Sequence, residues 1–178
     1  MYPAPRMFWQ LFRHRNDPPV GPFGTHVSQH ICWPWDLDVW MELNNGFTLT
    51  LYDLGRIPLA YRNGVYAATR RLGYRLTVAG STVRYRRRIQ VFDRLTMKSR
   101  LLGWDDKFLY NEQSMWEPDG VCANHVVLRT AIVGPNGMVP PAELAREMGH
   151  DGPSPALPPF VQAWSAAEAQ RPWPPMQD

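Results

Sequence analysis

Apolar and polar positions change their period twice along the chain, and these changes divide it into segments. Residues 25–33 (THVSQHICW) alternate as a strand would, and Pro34 ends the run. Phe47, Leu51 and Leu54, continuing toward Pro58-Leu59, recur at helical spacing and mark one apolar stripe over residues 46–57. Pro58 predicts a kink there or the start of a second helical piece over 59–72, closed by Gly73. From Tyr74 to Val133 the period is two, and strands are predicted over 76–91, 95–102, 108–117 and 121–133, with turns at Asp105-Asp106-Lys107 and Asp119-Gly120. In the first of these strands Val83, Tyr85, Ile89 and Val91 share one face and Arg84, Arg86 and Arg88 the other. Arg87 is then the one charge on the apolar side, where it needs a partner. Short helices are predicted over 140–148 and 160–169.

Candidate chemistry concentrates between the first strand and the long helix, in the stretch from Trp33 to Arg56. Asp36 and Asp38 lie in the loop, Asn44 or Asn45 can cap the helix, and Gly46 follows. Carboxylates beside the free N–H groups and positive end of a helix suit a site that holds a carbonyl oxygen as it gains negative charge. Turn chemistry favours Asp36 as a cap or turn acid. For Asp38 a functional role stands against capping, and Asn45 is open between cap and site residue. Asp53 and Arg56, three apart on the helix, read as a surface pair.

Composition bounds the rest. At 44% hydrophobic and 20% charged, the 178 residues fit a soluble globular chain rather than a disordered one. The 18 prolines gather toward the ends, which predicts an N-terminal arm (1–24), one folded domain (25–149) and a proline-rich C-terminal arm (150–178). No apolar run is long enough to span a bilayer and no signal segment opens the chain, so a cytoplasmic protein without a membrane span is expected. The amphipathic piece Phe8-Trp9-Gln10-Leu11-Phe12 reads as an arm packed on the body or a partner in preference to a membrane contact. Cys32 and Cys122 read as buried small residues in a reducing compartment. His26 and His30 would stand about 13 Å apart on a strand, too far to share an ion, so no metal site is expected.

The net charge is only +3, yet Arg84, Arg86, Arg87, Arg88, Arg94, Lys98 and Arg100 face a single acid, Asp93, in one short region. Such a field suits phosphates, of a nucleotide-bearing cofactor or of nucleic acid, and equally a solvated strand face.

Asp36-Leu37-Asp38, then Asn44-Asn45-Gly46-Phe47 and Asp53-Leu54-Gly55-Arg56, resembles the DxDxxxHxNNxxY(x)nAR signature of the hydroxybenzoyl-coenzyme A thioesterase family. The AGSTVRYRR and FDRLTMKSRLLGWDDKFLY runs are similar to its mostly uncharacterised thioesterase-superfamily subgroup. The resemblance covers residues 25–149 and implies an α+β hot-dog fold, an antiparallel sheet wrapped around a central helix. It implies hydrolysis of an acyl-coenzyme A thioester to free acid and coenzyme A. Asp38 would attack or activate water, and the Asn45/Gly46 helix start would polarise the carbonyl. It also implies a homodimer or tetramer with sites between subunits. Glu42 stands where the family has its histidine and is a candidate modulator, since a second negative charge beside Asp38 would disfavour ionisation of one of the two acids. Arg84, Arg86, Arg87 and Arg88 are the candidates for the coenzyme A phosphates. The acyl-coenzyme A is substrate, and no resident cofactor or nucleic-acid partner is expected. The rivals are a non-catalytic acyl-thioester-binding protein and, more remotely, a nucleic-acid module stacking bases on Tyr85, Trp104 and Trp116.

Overall fold

A computed structural model describes residues 2–176. Helix α1 (Ala4–Arg13) and strand β1 (His26–Ile31) lead through a 3-10 turn (Pro34–Asp36) to the long helix α2 (Asn45–Arg62) and to α3 (Val65–Leu72). Strands β2 (Arg75–Tyr85), β3 (Arg94–Trp104), β4 (Phe108–Trp116), β5 (Cys122–Gly134) and the short β6 (Gly137–Val139) follow, then α4 (Pro141–Glu147) and α5 (Pro159–Ala169). The strands form one antiparallel sheet in the order β1-β3-β4-β5-β2, with β6 added beside β5.

The sheet packs around α2, the hot-dog arrangement. Leu51, Tyr52 and Leu54 of α2 are buried against Leu95 and Met97 of β3, Met115 of β4 and Val126 and Leu128 of β5. Burying such side chains is worth roughly 1.5–3 kcal/mol each. Gly55 makes the close approach possible, since a Cβ there would stand 2.5 Å from Met97 Sδ and 2.7 Å from Ser99 Oγ. Buried Gln113 ties the two layers by donating to Tyr52 O and Ser99 Oγ, both at 2.8 Å.

Helix α2 passes through Pro58 and ends at Arg62, and the break before α3 comes at Gly64, in the left-handed region at φ 89°. Proline forfeits one main-chain bond, but buried Leu54 and Leu59 on either side hold the helix together. Strand β2 stops at Tyr85, six residues short of the alternation that predicted it. Arg86 and Arg87 both donate their N–H to Ala123 O, which ends the regular ladder.

The two sheet edges differ. Helix α1 packs on α2 and reaches the β1 edge through two side chains, Arg6 donating to Ile31 O at 2.9 Å and Gln10 to Gln29 O at 3.1 Å. Strand β2 carries no neighbour on its outer side among the described residues. The C-terminal segment crosses the sheet with Val161 and Trp164 on Tyr110 and Val127. No described helix is long and apolar enough to cross a membrane.

Candidate active site

The loop between β1 and α2 is built on its acids. Asp36 is buried and accepts two bonds from Arg6, at 2.8 and 2.9 Å, and one from Trp33 N–H at 3.0 Å. It pins α1 to the loop, a structural acid as turn chemistry suggests. Asp38 sits in a tight reversal closed by the Leu37–Leu43 bridge. Its Oδ1 accepts from Trp40 N–H at 2.8 Å, and its Oδ2 makes no hydrogen bond to the described residues. One carboxylate oxygen shapes the loop and the other is open to a ligand.

Asn44, not Asn45, caps α2. Its Oδ1 accepts from Gly46 N–H at 2.8 Å and from Phe47 N–H at 3.3 Å. The Gly46 N–H assigned to the carbonyl clamp is therefore already occupied, while the Asn45 amide side chain makes no hydrogen bond to the described residues. Asn45 lines a cleft of about 250 Å³ together with Thr48, Tyr85, Asn124 and the arginine segment.

Asn124 of β5 is the residue the sequence pattern did not reveal. It is 2% exposed, and its Oδ1 accepts from the hydroxyl of Tyr52, whose burial holds that phenol above its ordinary pKa. The Asn124 Nδ2 is the donor left for a ligand at the cleft wall. Its one signal was a polar amide in a strand otherwise rich in Val, Leu and Ile.

Of the four arginines assigned to phosphates, Arg86, Arg87 and Arg88 line the cleft and Arg84 does not. Because β2 ends at Tyr85, the expectation that Arg87 is an apolar-face charge is overturned: its side chain is 47% exposed and pairs with Glu117 and Asp119, both at 2.9 Å. Arg88 pairs with Glu42 at 3.1 Å, so the charge that replaces the family histidine is met by a cation. The main-chain bond Leu43 N–H to Ile89 O, 2.8 Å, brings the two loops together. Asp38 stands in the same loop as Glu42 but does not line the cleft.

Other candidates take structural places. Trp104 stacks on Phe23, and Trp116 lies under Lys98, so these two and Tyr85 do not form one stacking platform. His30 is buried, with Nε2 2.7 Å from Ser28 Oγ, and burial pushes its pKa down to about 3.

A second cleft, about 240 Å³, opens farther along α2. Ile57, Leu59 and Ala60 of α2 face Leu76 and Val78 of β2, and Arg56, Asn63, Asn111 and Thr130 are its polar points. Both clefts adjoin α2 and β2, one near the start of the helix and one near its end.

Residues 32–165 match the model of the thioesterase-like superfamily. The chain is 38% identical over 88 residues to Protein THEM6 of Xenopus laevis, covering 49% of this chain and 42% of that one. It is 32% identical over 78 residues to Protein THEM6 of Danio rerio, covering 44% and 39%. Each match thus spans less than half of the relative's length. Among solved structures, the YbaW probable thioesterase of Escherichia coli superposes with a TM-score of 0.64 at 19% identity, over 69% of this chain and 96% of that one. The Staphylococcus aureus protein SAV2348, solved in complex with CoA, superposes at 0.60 with 12% identity, over 78% and 92%. At these identities the structural likeness speaks to the fold.

Proposed function

The chain belongs to the thioesterase-like superfamily, and from that membership we propose that it hydrolyses an acyl-coenzyme A thioester to the free acid and coenzyme A. The observation that carries the reading is the cleft at the α2 N-terminus, where amide donors and three arginines meet. Asp38 is the nucleophile or general base, acting through the oxygen its loop leaves open. The thioester carbonyl rests against the start of α2, where Asn45 and Asn124 offer amide donors and the helix dipole favours the developing oxyanion. Arg86, Arg87 and Arg88 meet the coenzyme A phosphates, and the exposed guanidinium of Arg88 can exchange Glu42 for them.

In this reading two chains pair through β2. The β1 edge is occupied by α1 side chains, whereas β2 offers an open edge with Leu76 and Val78 exposed beside it. That pairing would bring a second chain, with its own Asp38, to clefts that adjoin β2 and whose lining within one chain does not include Asp38.

A non-hydrolytic acyl-thioester carrier is favoured by one observation, the engagement of Gly46 N–H with Asn44. Thiol release from a panel of acyl-coenzyme A esters separates the two. Turnover lost in Asp38→Asn supports the hydrolase; no turnover above that variant, with retained binding of an acyl-coenzyme A thioether, supports the carrier.

A further inference from the structure

Helix α1 presents apolar groups on both sides. Met7, Gln10 and Leu11 turn toward the body, while Phe8, Trp9 and Phe12 stand outward, 70%, 57% and 56% exposed. A surface helix ordinarily puts polar groups on that side, and a contiguous exposed aromatic group marks an interaction surface where a lone one does not. Here Trp9 and Phe12 stack at 6.2 Å, so the patch is continuous.

The patch extends beyond the helix. A cleft of about 600 Å³ joins Trp9 and Arg13 to Trp33 and Arg94. Trp33 stacks on Trp35 at 5.3 Å and meets Phe92 edge-on at 6.0 Å. Trp35 and Phe92 are 63% and 59% exposed, and Phe92 holds φ 65°, a conformation that costs a non-glycine residue free energy.

Charge selects the partner. The charged residues lining this cleft are Arg6, Arg13 and Arg94, with no carboxylate among them, and Arg15 lies over the Phe12 ring at 3.8 Å. Of the neighbouring acids, Asp36 holds Arg6 and Asp17 holds His14, while Asp93 accepts from Gln90 N–H and forms no ion pair among the described residues, one carboxylate against three unpaired arginines. Arg13, Arg15 and Arg94 form no ion pair among the described residues. Aromatic rings ringed by unpaired arginines match the boundary of a bilayer, rings at the level of the acyl-chain ends and guanidiniums at the phosphates. We propose that the outward face of α1, with the Trp33–Phe92 cluster, docks the protein on an anionic lipid surface. The face lies beside β1, at the sheet edge opposite β2, so a pair formed through β2 leaves it free.

Flotation of the full chain with vesicles tests this. The chain should float with vesicles of equal parts phosphatidylcholine and phosphatidylglycerol, at least tenfold less with phosphatidylcholine alone, and less as salt rises. Trp9→Ser with Phe12→Ser should lower binding by more than tenfold. Arg13→Gln and Arg94→Gln should each lower it about fivefold. Trp35→Ser with Phe92→Gly, in a separate loop, repeats the aromatic test should the α1 variant misfold. Absence of flotation with anionic vesicles at low salt overturns the proposal, as does unchanged flotation of both folded aromatic variants. So does a light-scattering mass that drops when Trp9 and Phe12 are replaced, which would assign the face to a second copy of the chain.

Discussion

Arg6 and Asp36, thirty residues apart, form a bidentate pair in which both carboxylate oxygens meet one guanidinium nitrogen at 2.8–2.9 Å. The Asp36 side chain is 1% exposed, so the arginine is the cation that makes its ionised form tolerable there. Arg6→Ala should destabilise the protein by about 3 kcal/mol, the usual loss when one partner of a buried pair is removed. Urea unfolding reads this directly; a loss under about 1 kcal/mol would mean the pair behaves as a surface bridge.

Asp38→Asn should separate chemistry from folding. The amide keeps an Oδ1 to accept from Trp40 N–H, so the loop and the melting temperature should stay as they are. Acyl-coenzyme A hydrolysis should fall by about 10²–10⁴, the range for a lost general base. A variant that unfolds, or one that retains activity, would count against the role assigned to the residue.

The two neighbouring asparagines should respond in opposite ways. Asn44→Ala removes the α2 cap and should cost about 1 kcal/mol of stability. Asn45→Ala should leave stability within about 0.5 kcal/mol while lowering kcat, because its side chain lines the cleft and the capping bonds are made by Asn44. Equal effects of both on unfolding would assign Asn45 to capping.

The division between readable and unreadable parts runs along the same lines. Asp105-Asp106-Lys107 and Asp119-Gly120 turned the chain where they stood, and the stripe from Phe47 to Leu54 marked α2, because these signals are local. The Arg6–Asp36 pair and the Tyr52–Asn124 bond join positions 30 and 72 residues apart, and neither partner carries a local pattern announcing the other. The end of β2 was invisible for a related reason. Alternation ran on past Tyr85, but the ladder stopped where two successive N–H groups shared Ala123 O. Asn44 and Asn45 were equally good caps on paper, and only the bonds to Gly46 and Phe47 decided between them.

Acid should weaken the fold through two buried histidines. Burial holds His30 down to about 3 and His26 to about 4, against an ordinary value of 6.5. The unfolded chain takes up these protons near pH 6.5 and the folded chain does not until far lower. Stability is therefore complete above that pH and falls as pH drops toward 4, by up to about 1.4 kcal/mol per pH unit for each histidine. Urea midpoints from about pH 7 to about pH 5 should fall less steeply for His30→Gln than for the unmodified chain; parallel curves would remove His30 from the account.

Gly55→Ala should destabilise by about 1–3 kcal/mol despite alanine's better helix propensity. The added methyl would press on Met97 and Ser99 and push α2 away from β3. A gain in melting temperature would show that the sheet gives way more easily than its packing suggests.

Gln10 and Arg6 occupy main-chain carbonyls of β1, and this has a bearing on how far assembly can go. A sheet open on both sides can add strands without limit, one chain after another, toward a fibre. With two carbonyls of the β1 edge taken by side chains of α1, the pairing proposed through β2 would end after a single step. In that pairing α1 would act as a stop on polymer growth, and deleting it would free the Gln29 and Ile31 carbonyls for a second edge-to-edge contact.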